Sequence, residues 1–288
     1  MPIKTIQVAL FLLGIFLSGP LEAQKAVTQE TGLSMITVTG GKMAMMGHIA
    51  VTLSSFEMSK TLVTQEEYQK IMGNNPSHFL GKDLPVDSVS WYEAVTFCNK
   101  LSQSEGLTPA YEVEGRTVRW NHSSNGYRLP TEAEYEYAAR GGNHPDNTTF
   151  AGSNTASEVA WYAENSSKTT HPVAQKKSNG LGLYDLSGNL YEWCWDWYDE
   201  TLPGGKDPSG PSQGSLKVLR GGCWKSPEYY VGVAIRSNSF PYDNDPVLGF
   251  RVVRSLSVTP VVTTTSPSAT PQPTPSTTPQ PATPTKHG

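Results

Sequence analysis

Arg128-Leu-Pro-Thr-Glu-Ala-Glu-Tyr-Glu-Tyr-Ala-Ala-Arg-Gly-Gly142 is the stretch from which the fold of this chain is read. Pro130-Thr131 opens it, Glu132 to Arg140 is a run that a helix accommodates, and Gly141-Gly142 stops it, which predicts a short helix. Upstream, Asp87-Ser-Val-Ser90 leads into a second helix in which Trp91, Ala94, Val95, Cys98 and Leu101 recur at spacings of three and four, forming one apolar face. Thr64 stands three residues before Glu67, the capping-box spacing of a third helix start. Further back, Met35-Ile-Thr-Val38 and His48-Ile-Ala-Val-Thr-Leu53 are short, β-branched and bounded by Gly40-Gly41 and Gly47, which predicts strands. From Gly142 to about Arg254 the chain is rich in Gly, Asn, Ser and aromatic residues, leaving room only for short strands. Few helices, short strands and much irregular loop place the fold in the α+β class.

Composition narrows the function classes. The 288 residues carry 22 Lys+Arg against 26 Asp+Glu, a formal net charge of −4, so the basic surface that displaces counterions from nucleic acid is not expected. With 26 Gly and 22 Pro, a helical bundle or coiled coil is excluded. Three cysteines are too few for a disulfide scaffold. Residues 1–23 read as a secretory signal: Lys4 supplies the positive start, Val8 to Leu17 the apolar run, and Ala23 the small residue before a cut at Gln24. Eight prolines lie beyond Thr259, where Lys286 is the only formal side-chain charge, so 255–288 reads as a disordered Pro/Thr-rich tail. Between these ends stand a lead-in strand region, 24–39, and one domain, 40–254. The mature chain is expected to lack a membrane span and to be secreted, periplasmic or at the cell surface.

Five fragments in fixed order carry a resemblance. They are Val86-Asp-Ser-Val-Ser-Trp-Tyr-Glu-Ala94, Arg128 to Gly142, Gly182-Leu-Tyr-Asp-Leu-Ser-Gly-Asn-Leu-Tyr-Glu-Trp193, Arg220-Gly-Gly-Cys-Trp224 and Gly249-Phe-Arg251. Together they resemble the formylglycine-generating enzyme, or sulfatase-modifying factor, family, over about Gly40 to Arg254. The resemblance implies a single C-type-lectin-like domain. It also implies an oxidase that converts a sulfatase cysteine to formylglycine through two cysteines holding copper(I), a soft ion that thiolates suit and hydroxyls do not. In this chain the corresponding stretch, Cys223 to Arg236, has one cysteine, and the positions near Ser226 and from Tyr229 to Val231 carry none. If that stretch is extended, Cys223 and Ser226 point to opposite faces. Copper is therefore not expected, and Cys98 and Cys194 read as small core residues. A Cys194–Cys223 disulfide stays open.

A sister branch of the fold holds iron with three histidines. The six histidines here, His48, His78, His122, His144, His171 and His287, show no His-x-x-x-His pair and read as structural. The loop Ser187 to Glu192 is similar to the family's structural calcium site, with the Asn189 amide, the Leu190 carbonyl and the Glu192 carboxylate as hard oxygen donors.

In the family the C-terminal segment lines the substrate groove. Here it presents Trp224, Ser226, Tyr229, Tyr230, Arg236, Asn238, Tyr242, Asp243, Asn244 and Asp245, types that concentrate binding energy or offer adaptable hydrogen bonds. An intact framework without the cysteine pair resembles the variable ligand-binding proteins of diversity-generating retroelements. The expected function is thus a non-catalytic surface module binding a protein or glycan ligand. A formylglycine-type oxidase that matures sulfatases, and a pseudoenzyme that binds such peptides, are the alternatives.

Overall fold

The computed structural model describes residues 32–256; the signal segment, the start of the lead-in region and the Pro/Thr-rich tail lie outside the described residues. In chain order the elements are β1 (Met35–Val38), β2 (Gly41–Met45), β3 (Ile49–Leu53), β4 (Phe56–Ser59), α1 (Gln65–Met72), α2 (Trp91–Ser104), β5 (Tyr111–Glu114) and β6 (Thr117–Trp120). They continue as β7 (Tyr127–Arg128), α3 (Glu132–Ala139), α4 (Ala156–Val159), β8 (Tyr191–Trp197), β9 (Gly205–Lys206) and β10 (Lys217–Arg220). A 3-10 turn (Glu228–Val231) precedes β11 (Arg236–Ser239), β12 (Leu248–Gly249) and β13 (Val253–Ser255).

The three longer helices begin with the same device. Thr64, Ser90 and Thr131 accept a hydrogen bond from the backbone three residues on, and Glu67, Glu93 and Glu134 in turn accept one from the cap backbone N–H. Each box satisfies two of the N–H groups that a helix start leaves without partners. α1 ends on Gly73 in the left-handed region, φ 85°, where glycine carries no steric penalty. All eight residues of α3 are buried, so this helix has no solvent face. Its three glutamates must then find cations inside the protein, because an unpaired buried charge is costly.

One sheet runs β1-β4-β13-β7 and joins the first and last described strands; the second runs β11-β10-β8-β12. In the second sheet β8 is antiparallel to β10 and parallel to β12. The β2–β3 hairpin was not foreseen: Gly41 opens β2 rather than bounding a strand, and Met46-Gly47 turns the chain with positive φ at both residues. The helix face read from the sequence packs as expected. Trp91, Ala94, Val95, Cys98 and Leu101 join a core with Trp193 and Phe250, where Phe250 meets Phe97 edge-on at 5.2 Å. A second core forms around α3, Val38, Met58, Cys194 and Val218. No helix among the described residues is long and apolar enough to cross a membrane.

Candidate functional site

β10 delivers the chain into the C-terminal loops, and α3 fixes where they start. Arg220 is fully buried; its Nη1 lies 3.3 Å from Glu132 Oε1 and its Nη2 lies 2.9 Å from Glu136 Oε2, while Nη2 also donates to the Val233 carbonyl. Arg236 donates from Nε and Nη2 to the two oxygens of Glu132, at 2.6 and 2.8 Å, and from Nη1 to Asp199 O. Two loop-bearing arginines thus converge on one helix. Gly222 turns the chain at φ 74°, and a Cβ there would lie 2.6 Å from Tyr230 O, so only glycine fits.

The next residues depart from the sequence reading. Cys223 to Ser226 is a turn rather than an extended segment, closed by Ser226 N donating to Cys223 O at 2.9 Å. The two side chains therefore meet: Cys223 Sγ is 3.3 Å from Ser226 Oγ, which also accepts from Cys223 N and lies 3.3 Å from Tyr191 Oη. Burial pushes the Cys223 thiol above its ordinary range. All three cysteines are free and buried, so the Cys194–Cys223 disulfide is not formed. Among the described residues no group of three His, Cys, Asp or Glu side chains is disposed to hold a metal.

The proposed ligand residues separate into framework and surface. Arg236 is held by Glu132, Ser226 is buried in the Cys223 turn, Asn238 sits half-buried in β11 opposite Val218, and Asp243 turns inward to accept from Phe240 N and Ser239 Oγ. Trp224 is half-buried, with Nε1 donating to Pro246 O and its ring edge-on to Phe79. Tyr229 and Tyr230 are 71% and 48% exposed and meet edge to face. Tyr242, 55% exposed, stacks on Phe240 within 8° of parallel. Asn244 is exposed, and exposed Asp245 approaches Lys225 at 3.5 Å.

The oxygens expected to bind calcium are committed to protein partners. Both Glu192 oxygens receive Arg251, at 2.6 and 2.9 Å, and Oε1 also accepts from Tyr135 Oη. The Asn189 amide accepts from His171 N and donates to His171 O, while its backbone carbonyl accepts from Trp224 N. With the Glu192 carboxylate and the Asn189 side chain engaged in this way, these residues do not fit a calcium site. The histidines are structural in placement: His171 stacks on Trp161 at 3.7 Å, and His122 stacks on Trp120 at 4.0 Å.

A second feature went unread in the sequence. The run Tyr191-Glu-Trp-Cys-Trp-Asp-Trp197 alternates aromatic with small or acidic residues, the period-two signal of a strand with two unlike faces. β8 buries Glu192, Cys194 and Asp196 on one face and turns Trp195 and Trp197 into a cleft of about 390 Å³. Lys217, directly opposite Trp197 in β10, lies with Nζ 3.7 Å from that ring, 4.0 Å from Trp91 and 4.8 Å from Trp195. Burial lowers the Lys217 ammonium to about 7, with Asp196 opposing the shift.

Comparison with known proteins follows the same lines. A profile of the sulfatase-modifying factor enzyme 1-like domain matches residues 21–256. The chaperone protein LppX of Paenibacillus barcinonensis is 38% identical over 237 residues, 71% of this chain and 82% of that protein. The formylglycine-generating enzyme of Streptomyces coelicolor is 36% identical over 166 residues, covering 49% of this chain and 52% of the enzyme, about half its length. Among solved structures, Treponema denticola variable protein 1 matches with a TM-score of 0.72 at 35% identity, over 78% of this chain and 95% of that one. CarF matches with a TM-score of 0.67 at 28% identity, over 79% of this chain and 100% of that one.

Proposed function

The chain belongs to the sulfatase-modifying factor enzyme 1-like family and has its C-type-lectin-like fold, and from that premise we propose that it is an exported, non-catalytic member that binds a protein or glycan through its C-terminal loops. The observation that carries this reading is a rigid arginine–glutamate frame presenting Tyr229, Tyr230, Phe240 and Tyr242 to solvent. Tyrosine supplies large contact area with few rotatable bonds, which is why it concentrates binding energy at interfaces. Copper(I) oxidase chemistry asks for paired thiolates, whereas the partner of Cys223 is a serine hydroxyl and burial keeps its thiol protonated. The names of two relatives, a variable protein and a chaperone protein, agree with a chain whose frame stays constant while its loops meet other molecules. The signal-like residues 1–23 support export.

Two measurements test the reading. The purified reduced chain is titrated with copper(I), then incubated with a sulfatase-motif peptide and examined by mass spectrometry. No stoichiometric copper uptake and an unchanged peptide cysteine are expected; tight uptake with conversion of the thiol to an aldehyde overturns the non-catalytic assignment. In a protein and glycan array, binding by the wild-type chain is expected to fall about ten-fold or more in a Tyr229→Ala/Tyr242→Ala variant with an unchanged thermal midpoint. Retained array binding by that variant moves the ligand site away from these loops.

A further inference from the structure

The tryptophan cleft is built for a ligand of its own. Its walls are Trp195, Trp197 and Trp120, its mouth carries Arg116 and Arg119, and Lys217 lies at its floor. We propose that this cleft is a second binding site, bordering the loop face where Arg116 meets Tyr242, that takes a carboxylate-bearing sugar of an acidic glycan.

Three observations define the occupant. First, a volume of about 390 Å³ falls in the range of sites that enclose small ligands, about 300–1,000 Å³. Second, half-buried Trp120, Trp195 and Trp197 leave part of their apolar surface in the cleft, which suits the C–H groups of a pyranose ring, and the neighbouring Ser209 and Ser212 supply polar edges for its hydroxyls. Third, positive side chains gather at the cleft: exposed Arg116 and Arg119 at its mouth and Lys217 at its floor, where the Asp196 carboxyl also acts on the lysine. The Lys217 side chain is almost wholly buried, 1% exposed, yet Nζ makes one hydrogen bond, to Trp195 O at 2.7 Å, and forms no ion pair among the described residues.

The mouth adds shape to that charge. Arg119 is held only by an exposed pair with Glu114 at 3.0 Å, a contact worth little against solvent. Arg116 is exposed and lies 6.0 Å from the Tyr242 ring, leaving its planar fork able to receive a carboxylate in two parallel hydrogen bonds. A long polyanion such as nucleic acid is disfavoured by the net charge of −4, whereas one carboxylate on a sugar meets a local concentration of positive charge.

Isothermal titration calorimetry of the full chain tests the assignment, with a short oligogalacturonate and its methyl ester as probes. Saturable binding of the acid form is expected, weakened about ten-fold or more by esterification, because the ester removes the charge and keeps the ring. Arg116→Ala/Arg119→Ala, at exposed positions that leave the fold intact, is expected to weaken the acid form to the same degree; Tyr229→Ala is expected to leave it unchanged. No heat with the acid form, equal affinity for the ester, or undiminished binding by the double arginine variant each overturns the proposal. The loop-face reading is told apart by Tyr229→Ala, which lies outside the cleft lining, since Tyr242 itself borders Arg116.

Discussion

Arg220 is the residue on which most of the functional frame rests. It crosses from β10 to α3 and neutralises parts of two buried glutamates, while its own Nε finds no partner. Removing one partner of a buried ion pair leaves the other uncompensated, a cost of about 3–5 kcal/mol. Arg220→Met is therefore expected to lower the unfolding free energy measured in urea by about that amount, whereas Arg119→Met, on the exposed pair with Glu114, is expected to change it by less than about 1 kcal/mol. Cys223 makes the opposite point: a thiol next to a glycine pair is here free, buried and pushed above its ordinary range by that burial. Burial raises the thiol pKa of Cys98, Cys194 and Cys223 alike, and the thiolate is the nucleophile. A thiol reagent at neutral pH is expected to label none of the three in the native protein and all three in urea; rapid native labelling of Cys223 would show its turn to be open.

At the scale of elements, α3 and β8 share one electrostatic problem. Asp196 of β8 accepts from Glu132 N at the start of α3, and burial, with the Glu132 carboxylate adding to it, pushes its carboxyl up to about 8. The folded protein then holds a proton that the unfolded chain releases near 3.8, so this group's stabilisation is full below that pH and is lost as pH rises towards 8. Lys217 acts on the other side of neutrality. Its folded value of about 7 lies below the ordinary 10.5, so its stabilisation is present above 10.5 and is lost as pH falls through 7. Unfolding free energies measured from pH 4 to 10 are expected to show the two slopes, neither exceeding about 1.4 kcal/mol per pH unit for one proton. Asp196→Asn, which keeps an acceptor for Glu132 N, is expected to flatten the acidic limb and, by removing the carboxylate that opposes the Lys217 shift, to extend the alkaline one to lower pH. The strand pattern behind this pair was written in the sequence, since Tyr191 to Trp197 alternates strictly. What alternation could not reveal was that Lys217 lies opposite Trp197, because pairing between strands is decided by register across the sheet.

For the whole molecule, Arg251 ties the two larger sheets to each other. It follows β12, grips Glu192 in β8 through two hydrogen bonds, and donates to Ser59 O at the end of β4 and to Tyr184 O. One guanidinium thus satisfies groups in three segments that are distant in sequence. Arg251→Met is expected to cost about 3–5 kcal/mol in a single cooperative transition, because Glu192 is left buried and charged. A separate early transition, followed by tryptophan emission from β8 ahead of far-ultraviolet circular dichroism, would mean that the two sheets unfold independently. The same contact bears on calcium: with arginine on both oxygens, the Glu192 carboxylate's charge is already balanced, which does not suit a calcium ligand. Calcium or a chelator is expected to leave the thermal midpoint unchanged.

Local punctuation in the sequence determined the three longer helices, their capped starts, the helix face carrying Trp91 and Leu101, and, through five ordered motifs, the family and its fold. Each of these depends on groups within a few residues of one another or on an order that survives in one dimension. The tertiary structure alone decided which charged side chains are free. Arg236, Glu192 and Asn189 look in sequence like ligand or metal residues, yet folding brings Glu132, Arg251 and His171 against them from other elements. It also turned Cys223 towards Ser226 and gathered Lys217 with three tryptophans from α2 and β8. A charge inside a protein takes its partner from whatever the fold places beside it, and that neighbour is set by sheet register and packing rather than by spacing along the chain.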